Sequence, residues 1–151
     1  MNDGAEGATS LRDGLLAEHA EIERLLDDVM RAIEERSGAS LAWRAFSSAL
    51  LAQIDAEERH LVAALSNEGS ARLLRYEHCY LRGRLRELGC AVDEEQLEAP
   101  LLLKNFRDVL RAHARNDDRL LYGWAETHLN AERRDAVLDV LTERRRVMAK
   151  R

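Results

Sequence analysis

Apolar residues recur at intervals of three and four along most of the chain, and the only proline stands at position 100. This spacing places apolar side chains on one face of an α-helix. Leu, Ala, Arg and Glu dominate the composition, and all four favour helices. The sequence therefore predicts an all-α protein, and its 151 residues are enough for one domain with its own core.

Capping and turn-forming residues divide the chain into five predicted helices. Ser10, Ser40, Ser70 and Asn130 each precede an apolar pattern as a candidate N-cap, and Pro100 suits a first helical turn. The predicted helices cover residues 11–36, 41–65, 71–88, 100–128 and 131–149.

Long helices with short connections favour an antiparallel four-helix bundle with an additional C-terminal helix. We expect the bundle to span residues 11–129, and the C-terminal helix with its basic tail to span residues 130–151. Residues 1–10 are polar and are predicted to be disordered.

Charge and hydropathy indicate a cytoplasmic protein that binds neither nucleic acid nor membranes. The net charge is −5, and acidic and basic residues are interspersed rather than separated into a basic face. No apolar run approaches the ~20 residues that span a bilayer, and the N-terminus lacks a signal-peptide core. Cys79 and Cys90 are predicted to be reduced, and their spacing favours neither zinc binding nor redox chemistry.

The apolar face of each of the four long helices is interrupted by a side chain that can bind metal. In the first helix, His19 lies in a row that includes Leu15 and Ile22. In the fourth helix, His113 and Asp117 stand four residues apart and therefore share one face. The candidate metal ligands are His19, Glu57, His60, His78, His113 and Asp117.

Six polar groups in a core need an explanation. An unpaired buried polar group costs roughly 1–3 kcal/mol, whereas the whole domain is expected to be stable by about 5–15 kcal/mol. The six groups must therefore bond to one another, meet water or bind a ligand. Imidazoles and carboxylates together suit iron, manganese or zinc, and Glu57 and His60 repeat the Glu-x-x-His spacing of di-iron carboxylate bundles.

With these residues identified, the chain resembles the hemerythrin-like (HHE cation-binding) family over about residues 11–129. The strongest segment is HARNDDRLLYGWAE in the fourth helix, which contains His113 and Asp117. The segments LLAEHAEIERLLDDV and RYEHCYLRGRLREL resemble the first and third helices of the family, with His19 and His78 at the ligand positions.

Two positions depart from the family pattern. Gln53 stands where the second helix of the family carries a histidine, although Glu57 keeps the carboxylate position. Leu74 stands four residues before His78, where members of the family hold another histidine. Our hypothesis is that His60 replaces the ligand lost at Gln53.

The resemblance implies a non-haem di-iron centre with an oxo or hydroxo bridge. Glu57 and Asp117 would bridge the ions, with His19, His78 and His113 as terminal ligands. It also implies a protein that binds, senses or reacts with dioxygen, peroxide or nitric oxide, or that takes part in iron homeostasis.

Three alternatives remain open at this stage. The substitutions at Gln53 and Leu74 suit a metal-free bundle that works as an interaction or regulatory module, with the C-terminal helix as its candidate protein-binding surface. An enzyme with peroxidase-like or catalase-like turnover is a second alternative. A mononuclear, zinc or manganese site is the third. The sequence does not predict an oligomeric state.

Overall fold

The computed structural model describes residues 10–149 and confirms an all-α bundle with an additional C-terminal helix. The four bundle helices are α1 (Leu11–Glu35), α2 (Ala39–His60), α3 (Glu68–Asp93) and α4 (Ala99–Asp117). A 3₁₀ turn, Val62–Ala64, follows α2, and a π-helical turn, Asp118–Tyr122, joins α4 to α5 (Gly123–His128). The last helix is α6 (Ala131–Ala149).

Two of the predicted helix caps are confirmed. The Ser10 hydroxyl accepts a hydrogen bond from the backbone N–H of Asp13 at 3.1 Å, so α1 begins at Leu11. The Asn130 side chain accepts one from the backbone N–H of Arg133 at 2.8 Å, at the start of α6. Apart from Ser10, the leading segment predicted to be disordered lies outside the described residues, as do residues 150 and 151.

The other two predicted serine caps are wrong. The N-cap of α2 is Gly38, whose φ of 75° favours glycine, while the Ser40 hydroxyl donates to Asp93 at 2.8 Å. The N-cap of α3 is Asn67, whose side chain accepts from the backbone N–H of Ser70 at 3.0 Å. Asparagine competes well with serine at this position, so α3 begins earlier than predicted.

Two apolar clusters fill the bundle, one towards each end. The first contains Trp43, Phe46 and Phe106, and the second contains Leu11 and Leu74. On each bundle helix, the candidate metal ligands lie between residues of the first cluster and residues of the second. The polar residues therefore form one layer across the middle of the bundle, closed by apolar side chains above and below.

The C-terminal helix packs against the bundle. Val137 and Leu141 of α6 are buried in the second cluster, where α6 contacts α1 and α2. Gly14 allows this close approach, because a Cβ atom at that position would overlap the side chain of Leu138. One face of α6 is therefore buried against the bundle of the same chain.

Cys79 and Cys90 are free and exposed. No helix in the described part of the chain combines the length and apolar character needed to cross a lipid bilayer.

Candidate metal centre

Four of the predicted ligands meet in the polar layer. Glu57 of α2, His78 of α3 and His113 and Asp117 of α4 are all buried, and one ligand atom from each lies within 4.8 Å of the others. The i to i+4 spacing places His113 and Asp117 on the same face of α4, with His113 Nε2 and Asp117 Oδ2 3.0 Å apart. His78 Nε2 lies 3.3 Å from Glu57 Oε2.

His19 reaches the edge of this group from α1. Its Nε2 atom lies 3.3 Å from Asp117 Oδ2 and 3.8 Å from Glu57 Oε1. The His19 side chain is 14% exposed, whereas that of His78 is fully buried. His19 therefore stands between the polar layer and solvent.

His60 is half-buried and is the last residue of α2. It is not a member of the group of four candidate ligands found among the described residues. Its role as a replacement ligand stays a prediction.

Three buried polar atoms in the layer, Glu57 Oε2, His78 Nε2 and Asp117 Oδ1, make no well-formed hydrogen bond among the described residues, although the first two face each other at 3.3 Å. Each unmade bond costs about 1–3 kcal/mol when the group is buried. All three atoms are of kinds that bind iron, manganese or zinc, and they belong to the same group. The donor set and its unpaired atoms therefore fit a bound metal ion.

Two carboxylates contact the Nδ1 atoms of the His78 and His113 imidazoles. Glu58 Oε1 lies 3.1 Å from His78 Nδ1 and also accepts from Arg82 at 3.1 Å. Glu77 Oε1 lies 3.3 Å from His113 Nδ1 and accepts from Asn116 at 3.0 Å. A carboxylate at Nδ1 fixes the ring and leaves Nε2 free to bind a metal.

Neither Glu58 nor Glu77 belongs to the candidate ligands that the sequence pattern indicates. The signal that could have found Glu58 was its position directly after Glu57. Arg82 holds the pKa of Glu58 below its usual value, although partial burial acts in the opposite direction.

Tyr122 lies at the centre of the polar layer because the helix changes its pitch. In a continuous α-helix, Tyr122 would point about 140° away from Asp117, five residues earlier. In the π-helical turn Asp118–Tyr122 the backbone hydrogen bonds join residues five apart instead of four. The added residue brings Asp117 and Tyr122 to the same face. The Tyr122 hydroxyl lies 2.5 Å from Glu57 Oε1, 2.5 Å from His19 Nε2 and 3.4 Å from Asp117 Oδ2.

Burial and short contacts shift several pKa values in this layer. Burial raises the pKa of Glu57, and the nearby Asp117 carboxylate adds to the effect. Burial alone would lower the pKa of His113, but the hydrogen bond and charge of Asp117 outweigh it and raise the pKa to about 9. The hydrogen bonds of His113 and His19 in turn overcome the effect of burial and lower the pKa of Asp117.

Two surface clefts approach the layer from opposite sides of α4. The larger, about 230 Å³, lies between α1 and α4 and is lined by His19, Leu110 and Ala114, among other residues. The smaller, about 140 Å³, lies between α3 and α4, with His113 and Ala112 in its lining. A small molecule can therefore come within reach of a layer imidazole from either cleft.

Residues 10–125 match the hemerythrin HHE cation-binding domain. No curated protein and no solved structure matches the chain. The matched segment covers all four bundle helices and every member of the buried His and carboxylate group. Since this segment makes up most of the sequence, the chain belongs to the hemerythrin HHE cation-binding family.

Proposed function

We propose that this protein binds iron in the polar layer and uses it to bind, sense or react with dioxygen, peroxide or nitric oxide. A role in iron homeostasis is part of the same proposal, because it also requires a site that binds iron. Glu57, His78, His113 and Asp117 would hold the metal.

The observation that carries the proposal is the set of unpaired buried atoms on these ligands. Glu57 Oε2, His78 Nε2 and Asp117 Oδ1 belong to three different helices and to the same candidate metal group. A mixed set of imidazole and carboxylate ligands suits iron, which supplies the redox chemistry and an open position for a small ligand.

The surrounding residues perform the other tasks that such a site needs. Glu58 and Glu77 orient the imidazoles of His78 and His113. The two apolar clusters exclude bulk water from above and below the layer. His19 lines the larger cleft with its Nε2 directed to Asp117 and Tyr122, so it lies between the layer and an incoming molecule.

The test is the metal content and visible spectrum of protein purified without oxygen from iron-supplemented cells and then exposed to air. We expect bound iron and a spectral change in air. The variant His78→Ala should lose the iron, whereas His128→Ala should keep it, because His128 is exposed and stacks on Trp124 outside the layer. A folded wild-type protein that takes up no iron would overturn the proposal.

A metal-free interaction module is the second candidate. It is favoured by the hydrogen bonds that Tyr122 makes within the layer, to Glu57 and with His19, because these polar groups satisfy one another without a metal. The three unpaired atoms argue against it. In this case the folded protein would carry no metal, and a partner would bind a surface such as the outer face of α6.

Peroxidase-like or catalase-like turnover is a narrower form of the leading proposal. Peroxide consumption by the iron-loaded protein, compared with the same concentration of free iron, separates an enzyme from a sensor or a store.

A further inference from the structure

We propose that the site holds one metal ion per chain, and that Tyr122 and His19 form a hydrogen-bonded wall beside it. This inference rests on the proposed metal-binding function and concerns the number of ions, where the family resemblance implies two. Tyr122, fully buried in the layer, takes the space next to the group of four ligands.

The Tyr122 hydroxyl contacts polar side chains from several helices. The hydroxyl donates its hydrogen to Glu57 Oε1 at 2.5 Å, and the same oxygen lies 2.5 Å from His19 Nε2. The Gln53 amide donates to the same hydroxyl at 3.5 Å. The phenol oxygen of Tyr122 is therefore hydrogen-bonded to three side chains, those of Gln53, Glu57 and His19.

The hydrogen bond with Tyr122 also decides which ring nitrogen of His19 carries a hydrogen. Because the Tyr122 hydroxyl has one hydrogen and donates it to Glu57, the bond with His19 requires a hydrogen on His19 Nε2. A nitrogen that carries a hydrogen has no lone pair for a metal. The Asp117 and Glu57 carboxylates, whose oxygens lie 3.3 Å and 3.8 Å from the same nitrogen, also accept hydrogen bonds.

The size of the ligand group suits a single ion. Ligand atoms on opposite sides of one ion lie about 4.4 Å apart, since each bond is about 2.0–2.2 Å long. The ligand atoms of Glu57, His78, His113 and Asp117 lie within 4.8 Å of one another, so a small contraction is enough to surround a single ion.

The charge of the ligand group also suits a single divalent cation. The group contains two carboxylates, Glu57 and Asp117, which together balance one divalent cation. A second divalent cation would bring two positive charges that the four ligands do not themselves balance, and unbalanced buried charge is expensive. The apolar Leu74, fully buried at the side of His78, offers no further ligand.

The experiment is a titration of the full-length metal-free protein with Co²⁺ in the absence of oxygen, followed by absorbance and calorimetry. Fe²⁺ uptake is then measured by metal analysis. We expect saturation at one ion per chain for both metals. The variants His19→Ala and Tyr122→Phe should keep that stoichiometry, whereas His113→Ala should lower the affinity at least tenfold. Far-UV circular dichroism checks that each variant is folded.

Two ions per wild-type chain would overturn the inference and leave the proposed function standing. No ion at all would overturn the proposed function itself. A phenolate-to-iron absorption band in the ferric protein that disappears in Tyr122→Phe would also overturn the inference, because Tyr122 would then be a ligand. None of these readouts depends on catalytic activity.

Discussion

The hydroxyl oxygen of Tyr122 lies 2.5 Å from Nε2 of His19, although 103 positions separate the two residues. The same hydroxyl donates to Glu57, so one phenol links α1, α2 and the π-helical turn. We expect Tyr122→Phe to lower the free energy of unfolding of the metal-free protein by about 1–3 kcal/mol, because it leaves buried groups without a partner.

Urea unfolding in the presence of a chelator measures this change. Tyr76→Phe is the matched control, because Tyr76 is 70% exposed and its change should stay within about 0.5 kcal/mol. Equal effects of the two substitutions would contradict the role of the Tyr122 hydrogen bonds.

Helical periodicity was enough to predict the bundle and the convergence of its polar residues. A polar side chain on the apolar face of a helix points to the core of any bundle, so the convergence of Glu57, His78, His113 and Asp117 could be predicted without knowing how the helices pack. The same reasoning could not find Tyr122. The π-helical turn shifts the buried face after Asp117, so that Tyr122 is fully buried and Trp124 is only half-buried.

Interactions between helices could not be predicted either, because the residues that make them are far apart in the sequence. Ser40 and Ser70 are good local caps, yet Ser40 bonds to Asp93 of another helix, and Asn67 takes the capping position before Ser70. Glu58 orients His78 only because α2 and α3 pack side by side.

Glu58 and Glu77 should set the affinity of the site for metal. We expect Glu58→Gln and Glu77→Gln each to weaken Co²⁺ binding by about 10–100-fold, the usual effect of losing a carboxylate behind a ligand histidine. Asp55→Asn is the matched control, because Asp55 also contacts Arg82 but touches no imidazole of the layer. If Asp55→Asn weakens binding as much as Glu58→Gln does, the effect comes from Arg82 and not from the imidazole.

The metal-free protein should lose stability as the pH rises from about 6.5 to 9. The pKa of His113 is about 9 in the folded protein, above its ordinary value of 6.5, because of the hydrogen bond and charge of Asp117. A raised pKa stabilises the fold fully below pH 6.5, and that contribution is lost as His113 deprotonates on the way to pH 9. The loss should be on the order of 2–3 kcal/mol.

Urea unfolding at several pH values, with a chelator present, follows this loss. In His113→Gln, the decline between these pH values should be much smaller. A wild-type stability that stays constant across the interval would show that His113 is neutral in the folded protein.

The larger cleft should be the route by which small ligands enter. Ala114 lines the cleft beside His19, whereas Ala112 lines the smaller cleft beside His113. We expect Ala114→Leu to slow the association of nitric oxide with the ferrous protein about tenfold, or about 1.4 kcal/mol of barrier, at unchanged iron content. Stopped-flow absorbance gives the rate, and Ala112→Leu is the matched control. A slower rate only in Ala112→Leu would assign entry to the other cleft.

Gly14 should decide whether α6 can dock on the bundle. A Cβ atom at position 14 would overlap Leu138, so Gly14→Ala must push α6 away from α1 or distort the Leu138 side chain. We expect a net loss of about 0.5–2 kcal/mol of unfolding free energy, because the cost of displacing the half-buried Leu138 side chain exceeds the gain in helix propensity from alanine. Gly83→Ala is the control, since Gly83 lies within α3 and its added Cβ would meet no atom within 4 Å. There the better helix propensity of alanine should stabilise the protein by about 0.5–1 kcal/mol, so opposite signs for the two variants are the expected result in thermal and urea unfolding. A Gly14→Ala variant as stable as Gly83→Ala would show that the Leu138 side chain moves aside without cost and that Gly14 is not required for the docking of α6.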